Sequence, residues 1–302
     1  MTKEMKLGLI GCDTSHCVAF ARILNDPKNE HHIKGPAIAV AFPGGSPDFE
    51  LSISRVDGYT KELRDDLNVR IVDSPEAVAE ASDAILLTSV DGRVHLEQFR
   101  KIAPYKKPVY IDKPFALKGG DAKEIFDLAQ QHGIPLMSCS ALRYADGFQE
   151  VLRDADNGEV IGADLYGPMA IQPTQPGLFW YGIHTVEMLF ASMGRGCSRV
   201  TVTSNDDHDF VVGLWSDGRI GTVRGNRKGN NKFGGIVHRE KGSRFVDAYK
   251  GRPYYVGLME AILSMFQSGK QPIDPEVTVE IVRFIEAANQ SRESGQPVEL
   301  SQ

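Results

Sequence analysis

The stretch Lys6-Leu-Gly-Leu-Ile-Gly11-Cys-Asp13-Thr14-Ser15-His16 carries the strongest fold signal in this chain. Lys6 to Ile10 is a short apolar run stopped by a glycine, the pattern of a buried strand. Ser15 to Leu24 follows with apolar residues at Val18, Ala21 and Leu24, which predicts a helix. A strand that passes through a glycine turn into a helix aims backbone N–H groups at any anion held at the helix N-terminus.

The alternation continues outward from that unit. Strands are predicted at Ala37 to Phe42, Val69 to Val72, Ala84 to Thr88, Pro108 to Ile111 and Ile134 to Cys139. Helices are predicted between them, at Tyr59 to Asp66, after Ser74-Pro75-Glu76, at Val94 to Ile102 and at Gly120 to His132. Strand and helix in turn imply a parallel sheet covered on both faces, so residues 1–138 read as an α/β Rossmann dinucleotide-binding domain. Ligands of such sheets sit at the carboxyl ends of the strands. The tips Gly11 to His16, Phe42 to Ser46, Thr88 to Arg93 and Asp112 to Pro114 should therefore share one crevice.

Residues 139–302 read differently. Helices are predicted at Phe148 to Asp154, Gly182 to Met193, Tyr255 to Gln267 and Pro275 to Ser294. Strands are predicted at Arg199 to Thr203, Asp209 to Trp215, Arg219 to Arg224, Ile236 to Arg239 and Arg244 to Asp247, with Ser216-Asp217-Gly218 as a hairpin turn. Meandering strands with helices predict an α+β domain on an open, mainly antiparallel sheet.

Composition narrows the function classes. Of 302 residues, 41% are hydrophobic and 25% charged, enough apolar material for real cores. A formal net charge of -6 argues against nucleic acid or an anionic membrane as partner. No apolar run approaches the roughly 20 residues that span a bilayer. The N-terminus leads straight into a strand without signal-peptide features, so the cytoplasm is the expected location. The four cysteines, Cys12, Cys17, Cys139 and Cys197, form no C-x-x-C pair and read as buried free thiols.

Four motifs carry candidate chemistry. In the glycine turn, a G-x-G-x-x-G fingerprint would put glycines where Asp13 and His16 stand. Asp13 adds bulk and negative charge where the backbone must approach a pyrophosphate, while Thr14 and Ser15 offer compensating donors. A helix cap formed by Asp13 or Ser15 is the competing reading. The second strand lacks the terminal acid that would bind the ribose of NAD. It ends in Phe42-Pro43-Gly44-Gly45-Ser46, with Arg55 nearby. Either a surface loop or a 2′-phosphate site satisfies that pattern, and NAD and NADP are both open.

Tyr110-Ile-Asp112-Lys113-Pro114 puts a lysine at the end of a central strand, where partial desolvation would tune it; a cis or rigid proline would fix its direction. Trp180-Tyr181-Gly-Ile-His184-Thr-Val-Glu187 puts a histidine and a carboxylate at i and i+3 on one helix face. His184 suits general acid–base work or interface packing, and the pair lacks a third metal ligand. Asp206-Asp207-His208-Asp209 reads as a polar turn between strands, so no metal is expected.

Taken together, these features resemble the Gfo/Idh/MocA family of oxidoreductases, the glucose-fructose oxidoreductase and inositol dehydrogenase group. The resemblance rests on the opening turn, Leu86-Leu-Thr-Ser89 with His95, Asp112-Lys113-Pro114 (usually Glu-Lys-Pro), Gly182-Ile-His184 and Ala287 to Val298. It implies an NAD- or NADP-dependent dehydrogenase or reductase acting on a sugar or polyol hydroxyl, as a homodimer or homotetramer built through the open sheet. Lys113 would orient the reacting hydroxyl and His184 would exchange its proton. Gly11, Cys12, Asp13, Thr14, Ser15, Ser89 and Lys113 would hold the cofactor. Arg143, Trp180, Tyr181 and His184 would meet the substrate. Departures at Asp13, at Val90-Asp91 and at Trp180 keep two other readings in play: a sugar hydrolase or lyase using held NAD without net redox, and a non-catalytic nucleotide or sugar sensor.

Overall fold

The computed structural model describes residues 5–300. Two units emerge. The first comprises residues 5–116, 120–138 and 259–273, and the second comprises 117–119, 139–258 and 274–300.

The first unit is built on β1 (Lys6–Ile10), α1 (Ser15–Asn25), β2 (Ala37–Phe42), α2 (Glu50–Asp65), β3 (Arg70–Ile71), α3 (Pro75–Ala81), β4 (Ala84–Leu87), α4 (His95–Ile102), β5 (Val109–Ile111), α5 (Gly119–His132) and β6 (Leu136–Met137). The six strands form one sheet in the order β3-β2-β1-β4-β5-β6, and every pairing is parallel. This is the doubly wound order in which β1 and β4 meet at the topological switch point. Burial explains the run Ala-Ile-Leu-Leu of β4: all four residues are buried, as a central parallel strand requires. Ser74 caps α3 by accepting from the Ala77 N–H, with Pro75 in the first turn.

Two expectations in this unit need correction. The helix expected at Tyr59 to Asp66 starts at Glu50 and continues through Gly58, because Ser52 and Val56 are buried on one face and hold its first turns. The strand expected at Ile134 to Cys139 shrinks to Leu136 and Met137, since it pairs only with the short β5, through Val109 and Tyr110.

The second unit contains α6 (Asp146–Leu152), β7 (Val160–Pro168), α7 (Gly182–Met193), β8 (Cys197–Ser204), β9 (His208–Trp215), β10 (Ile220–Asn226), β11 (Gly234–Arg239), β12 (Gly242–Asp247), α8 (Tyr254–Ser268), α9 (Pro275–Ser294) and β13 (Val298–Glu299). From Met259 onward α8 belongs to the first unit. The sheet order is β12-β11-β7-β10-β9-β8-β13, antiparallel throughout except for the β7–β10 pair. α7 and α9 pack on one face of the sheet. The other face shows solvent Phe210, Ile220, Ile236 and Phe245.

β7 was not legible in the sequence, although it lies inside the sheet. Asp164 interrupts its apolar pattern, yet this side chain points to the open face, accepting from Thr222 Oγ1 at 2.5 Å and lying 2.9 Å from His238 Nε2. α9 has the boundaries expected, capped by Asp274 at its start and by Gly295 in the left-handed region at its end.

Candidate active site

The opening turn follows from one close approach. Gly11 has φ +95°, and a Cβ there would lie 2.3 Å from the Ser89 nitrogen and 2.5 Å from Ser89 Oγ. Only glycine lets the β1 and β4 loops meet this closely. Thr88 Oγ1 donates to the Gly11 carbonyl at 2.7 Å, and Ser89 Oγ donates to Gln98 Oε1 at 2.9 Å.

Beyond Gly11 the chain turns inward. The Cys12 N–H donates to the Pro43 carbonyl at 2.6 Å, and its buried thiol is pushed up to about 12, chiefly by desolvation. Asp13 is fully buried. Ser52 Oγ donates to its Oδ2 at 2.6 Å and the Val90 N–H to its Oδ1 at 3.0 Å. Desolvation raises the Asp13 pKa, and these two donors oppose the rise. The helix cap expected of Asp13 or Ser15 falls instead to Thr14, whose side chain accepts from the His16 N–H. The Ser15 side chain is exposed at the first residue of α1.

At the end of β5, Asp112 is 2% exposed and Lys113 8%. His16 Nδ1 lies 2.5 Å from Asp112 Oδ2; Tyr110 Oη at 3.1 Å and the Lys113 N–H at 2.9 Å both donate to Oδ1. Burial alone would raise the Asp112 pKa, but the charge and hydrogen bond of His16, aided by Lys113, hold it well below the usual carboxylate range. Burial lowers the Lys113 pKa; Asp112 opposes this and Arg55 adds to it. The Lys113–Pro114 peptide is cis. At the neighbouring β4 loop, buried Asp91 pairs with Arg93, which also grips both carboxylate oxygens of Asp48 at 2.8 Å.

The second unit carries its own constellation. His184 Nδ1 lies 2.7 Å from Ser140 Oγ, and Arg143 Nε donates to Glu187 Oε1 at 2.5 Å. One turn of chain, residues 140–144, thus faces one side of α7 with two matched contacts. Burial raises the Glu187 pKa and Arg143 opposes it; burial lowers the Arg143 pKa, but Glu187 more than reverses that. The Tyr181 ring meets His184 edge-on at 5.9 Å and Trp180 at 5.9 Å, and Phe233 meets His184 at 5.5 Å. Tyr181 is 39% exposed and Trp180 8%.

The first unit therefore gathers Gly11, Cys12, Asp13, Thr14, Ser15, Ser89 and Lys113 around neighbouring strand ends. The second gathers Arg143, Trp180, Tyr181 and His184. The sequence reading missed Ser52, Ser140 and the His16–Asp112 pair. One signal for Ser140 was available: Ser140 and Arg143 share the spacing of His184 and Glu187. Asp206 and Asp207 lie in the turn between β8 and β9, and Asp209 is engaged by Arg227 and Arg292. No cluster among the described residues has the makings of a metal site. No helix of the described residues is long and apolar enough to cross a membrane.

The residues of the first unit fit a bound dinucleotide in part. The close approach at Gly11 is present, while the N–H of Cys12 is already committed to Pro43. The start of α1, with Thr14 and Ser15, is left as the donor end.

Residues 50–139 match the model of GFO_IDH_MocA, described as an oxidoreductase family with an NAD-binding Rossmann fold. This bears out the resemblance over that segment. A curated relative, the uncharacterized oxidoreductase YhhX of Escherichia coli strain K12, is 24% identical over 136 residues, covering 41% of this chain and 39% of that protein. The match thus spans about two fifths of its length. Among solved structures, myo-inositol 2-dehydrogenase from Lactobacillus plantarum superposes with TM-score 0.81 at 16% identity, covering 99% of this chain and 100% of the other. The scyllo-inositol dehydrogenase from Lactobacillus casei, solved with NAD(H) and scyllo-inositol, gives TM-score 0.80 at 13% identity, over 99% and 100% of the two chains. These likenesses bear out the two-part α/β fold.

Proposed function

We propose that the chain is an NAD(P)-dependent dehydrogenase or reductase that acts at a hydroxyl or carbonyl carbon of a sugar or polyol. The observation that carries this reading is the buried Asp112-Lys113 end of β5, set in a parallel sheet whose segment matches an NAD-binding oxidoreductase family. When bound, the nicotinamide supplies the hydride chemistry. Thr14 and Ser15 offer backbone and hydroxyl donors to its phosphates at the start of α1, and Gly11 and Ser89 shape the floor beneath. Lys113, desolvated and balanced by Asp112, donates to the reacting oxygen and orients it. His184, steadied by Ser140, takes or returns the hydroxyl proton. Arg143 acts from behind, holding Glu187 and with it α7. Tyr181 and Trp180 offer aromatic faces to a sugar ring.

The uncovered sheet face, with Phe210, Ile220, Ile236 and Phe245 exposed, supports a homo-oligomer in solution. Light scattering on the purified chain tests that assembly, and a monomer at micromolar concentration counts against it.

The central test is a panel of inositols, aldoses and polyols with NAD and NADP, followed by absorbance of the reduced nicotinamide. Lys113→Met and His184→Asn should each cut turnover about 100-fold or more while both proteins stay folded. Turnover equal to wild type in both variants refutes the assigned roles. No nucleotide binding by the wild type refutes the dehydrogenase reading itself.

A further inference from the structure

His16 stands where the G-x-G-x-x-G fingerprint has its third glycine, the residue that lets the helix pack closely on the sheet. A large polar side chain at that position is expected to turn outward to water. Here it turns inward. The His16 side chain is 12% exposed, and its Nδ1 lies 2.5 Å from Asp112 Oδ2, a residue 96 positions further along the chain. The imidazole lies 5.9 Å from the ring of Phe20, one turn on in α1, and Phe20 meets Tyr110 of β5 edge-on at 6.3 Å. Phe20 and Tyr110 are fully buried, so packed rings back the imidazole. Both oxygens of Asp112 are engaged. Oδ2 faces His16, and Oδ1 accepts from Tyr110 Oη at 3.1 Å and from the Lys113 N–H at 2.9 Å. The Asp112 N–H donates to the Leu87 carbonyl at 2.9 Å, which fixes this backbone against β4.

We propose that His16 is a positioning residue for Lys113: from the first turn of α1 it holds the Asp112 carboxylate, and through Asp112 it sets the lysine against a dinucleotide seated at the same helix start.

The inference rests on the dehydrogenase reading, with Lys113 as the residue that meets the reacting oxygen. Thr14 and Ser15, the donors that reading gives to the phosphates, directly precede His16. One turn of helix then seats the cofactor and also reaches across to the end of β5. Because the Lys113 N–H is bonded to Asp112, a rotation of that carboxylate shifts the peptide from which the lysine side chain leaves. Charge works in the same direction. Burial favours the neutral acid at Asp112, and His16 opposes it most strongly, ahead of Lys113. Burial drives the Lys113 ammonium toward neutrality, and Asp112 opposes that in turn. His16 thereby keeps the counter-charge of the lysine in place. Packing against Phe20 alone would need no donor here, since an apolar side chain would fill that space equally well.

The test is steady-state kinetics of the full chain on the fastest member of the inositol, aldose and polyol panel, beside fluorescence titration with NADH and NADPH. His16→Leu keeps the apolar packing and removes the donor. It should lower kcat about tenfold or more, because a small misplacement of a reacting group is costly. Its KM for the polyol or aldose should stay within about threefold, and its nucleotide Kd within about twofold. His16→Asn, which keeps an N–H donor near the position of Nδ1, should recover kcat to within about threefold of wild type. Since His16 acts through Asp112, adding His16→Leu to Asp112→Asn should lower kcat no further than Asp112→Asn does alone. That double variant leaves no buried carboxylate unpaired and serves if His16→Leu alone does not fold. Wild-type kcat in His16→Leu overturns the proposal and leaves the dehydrogenase reading standing. So does a His16→Asn variant as slow as His16→Leu, and so does an additive loss in the double variant. A loss of nucleotide affinity that accounts for the whole effect also overturns it, and would put His16 on the phosphates. Binding of neither nucleotide by the wild type overturns the proposal and the reading it rests on.

Discussion

Ser52 Oγ stands 2.6 Å from Asp13 Oδ2 and donates to it, so the first turns of α2 are tied to the loop after β1 through a fully buried carboxylate. The acid that replaces a fingerprint glycine is therefore turned into the protein and does not point at the phosphate end of α1. Asp13→Gly should not restore a conventional phosphate turn. It should strand the Ser52 hydroxyl and the Val90 N–H, at a cost of about 1–3 kcal/mol. Urea denaturation beside titration with NADH and NADPH checks this. An unchanged urea midpoint with tighter nucleotide binding would contradict it.

The same carboxylate makes stability depend on pH with an unusual sign for an aspartate. Burial raises the folded pKa above the unfolded value. The folded state then binds the proton more tightly. Its contribution to stability is complete below about pH 4, the ordinary aspartate range, and is lost as pH rises through the raised folded value. Asp13→Asn keeps an oxygen for the Val90 N–H and removes this dependence. Across that rise, wild type should lose stability relative to Asp13→Asn, read from urea midpoints at a series of pH values. A constant difference between the two proteins would show that Asp13 is not perturbed.

Gly11→Ala should be among the most damaging single-carbon additions in the first unit. The new Cβ meets the backbone of Ser89 at 2.3 Å, and φ +95° is strained for any L side chain. Neither obstacle can move without parting the loops after β1 and β4. The expected loss is about 3 kcal/mol, from overpacking and strain together. Thermal denaturation measures it, with Gly133→Ala, whose added carbon meets nothing within 4 Å, as a control for positive φ alone.

The sequence made the first unit largely legible because its strands are buried on both faces and read as unbroken apolar runs. Ala84 to Leu87 is the clearest case. It hid β7 because a strand with one open face tolerates polar residues there, and Asp164 finds Thr222 and His238 only once β10 and β11 lie beside it. The site was legible where chemistry is local, as at Asp112-Lys113-Pro114. It was illegible where partners lie far apart in sequence. Nothing near Asp13 points to Ser52, nothing near His16 points to Asp112, and Arg143 reads as a free lining residue until Glu187 is placed against it.

Asp112→Asn should alter the acid limb of the stability curve. Burial favours the neutral acid, but His16 and Lys113 overcome this and hold the folded pKa well below the unfolded value. Such a group adds stability above about pH 4, and that stability is lost as pH falls through the depressed folded value. Asparagine cannot replace the charge between two basic neighbours, so the variant should cost about 3 kcal/mol or more at neutral pH. Its stability should then fall less steeply than that of wild type toward low pH. Parallel urea midpoints for the two proteins from pH 7 to about pH 3 would contradict the ion pairing of Asp112 with His16.

Arg143 and Glu187 are both deeply placed, with side-chain exposures of 14% and 4%, and each is the other's counter-charge. Arg143→Ala would leave a carboxylate alone in a desolvated place, and Glu187→Ala would leave a guanidinium there. Each should cost about 3–5 kcal/mol. Arg143→Met with Glu187→Leu removes both charges and refills much of the volume, so the pair should cost less than either alanine variant alone. A conventional cycle through Arg143→Met and Glu187→Leu singly then isolates the coupling. The same variants probe function, because Ser140 and His184 share the two segments that this ion pair joins. If the pair positions α7, Arg143→Met should weaken turnover in proportion to its loss of stability, and Glu187→Leu in the same background should recover both. Stability restored by the double variant without recovery of turnover would place Arg143 in contact with substrate instead.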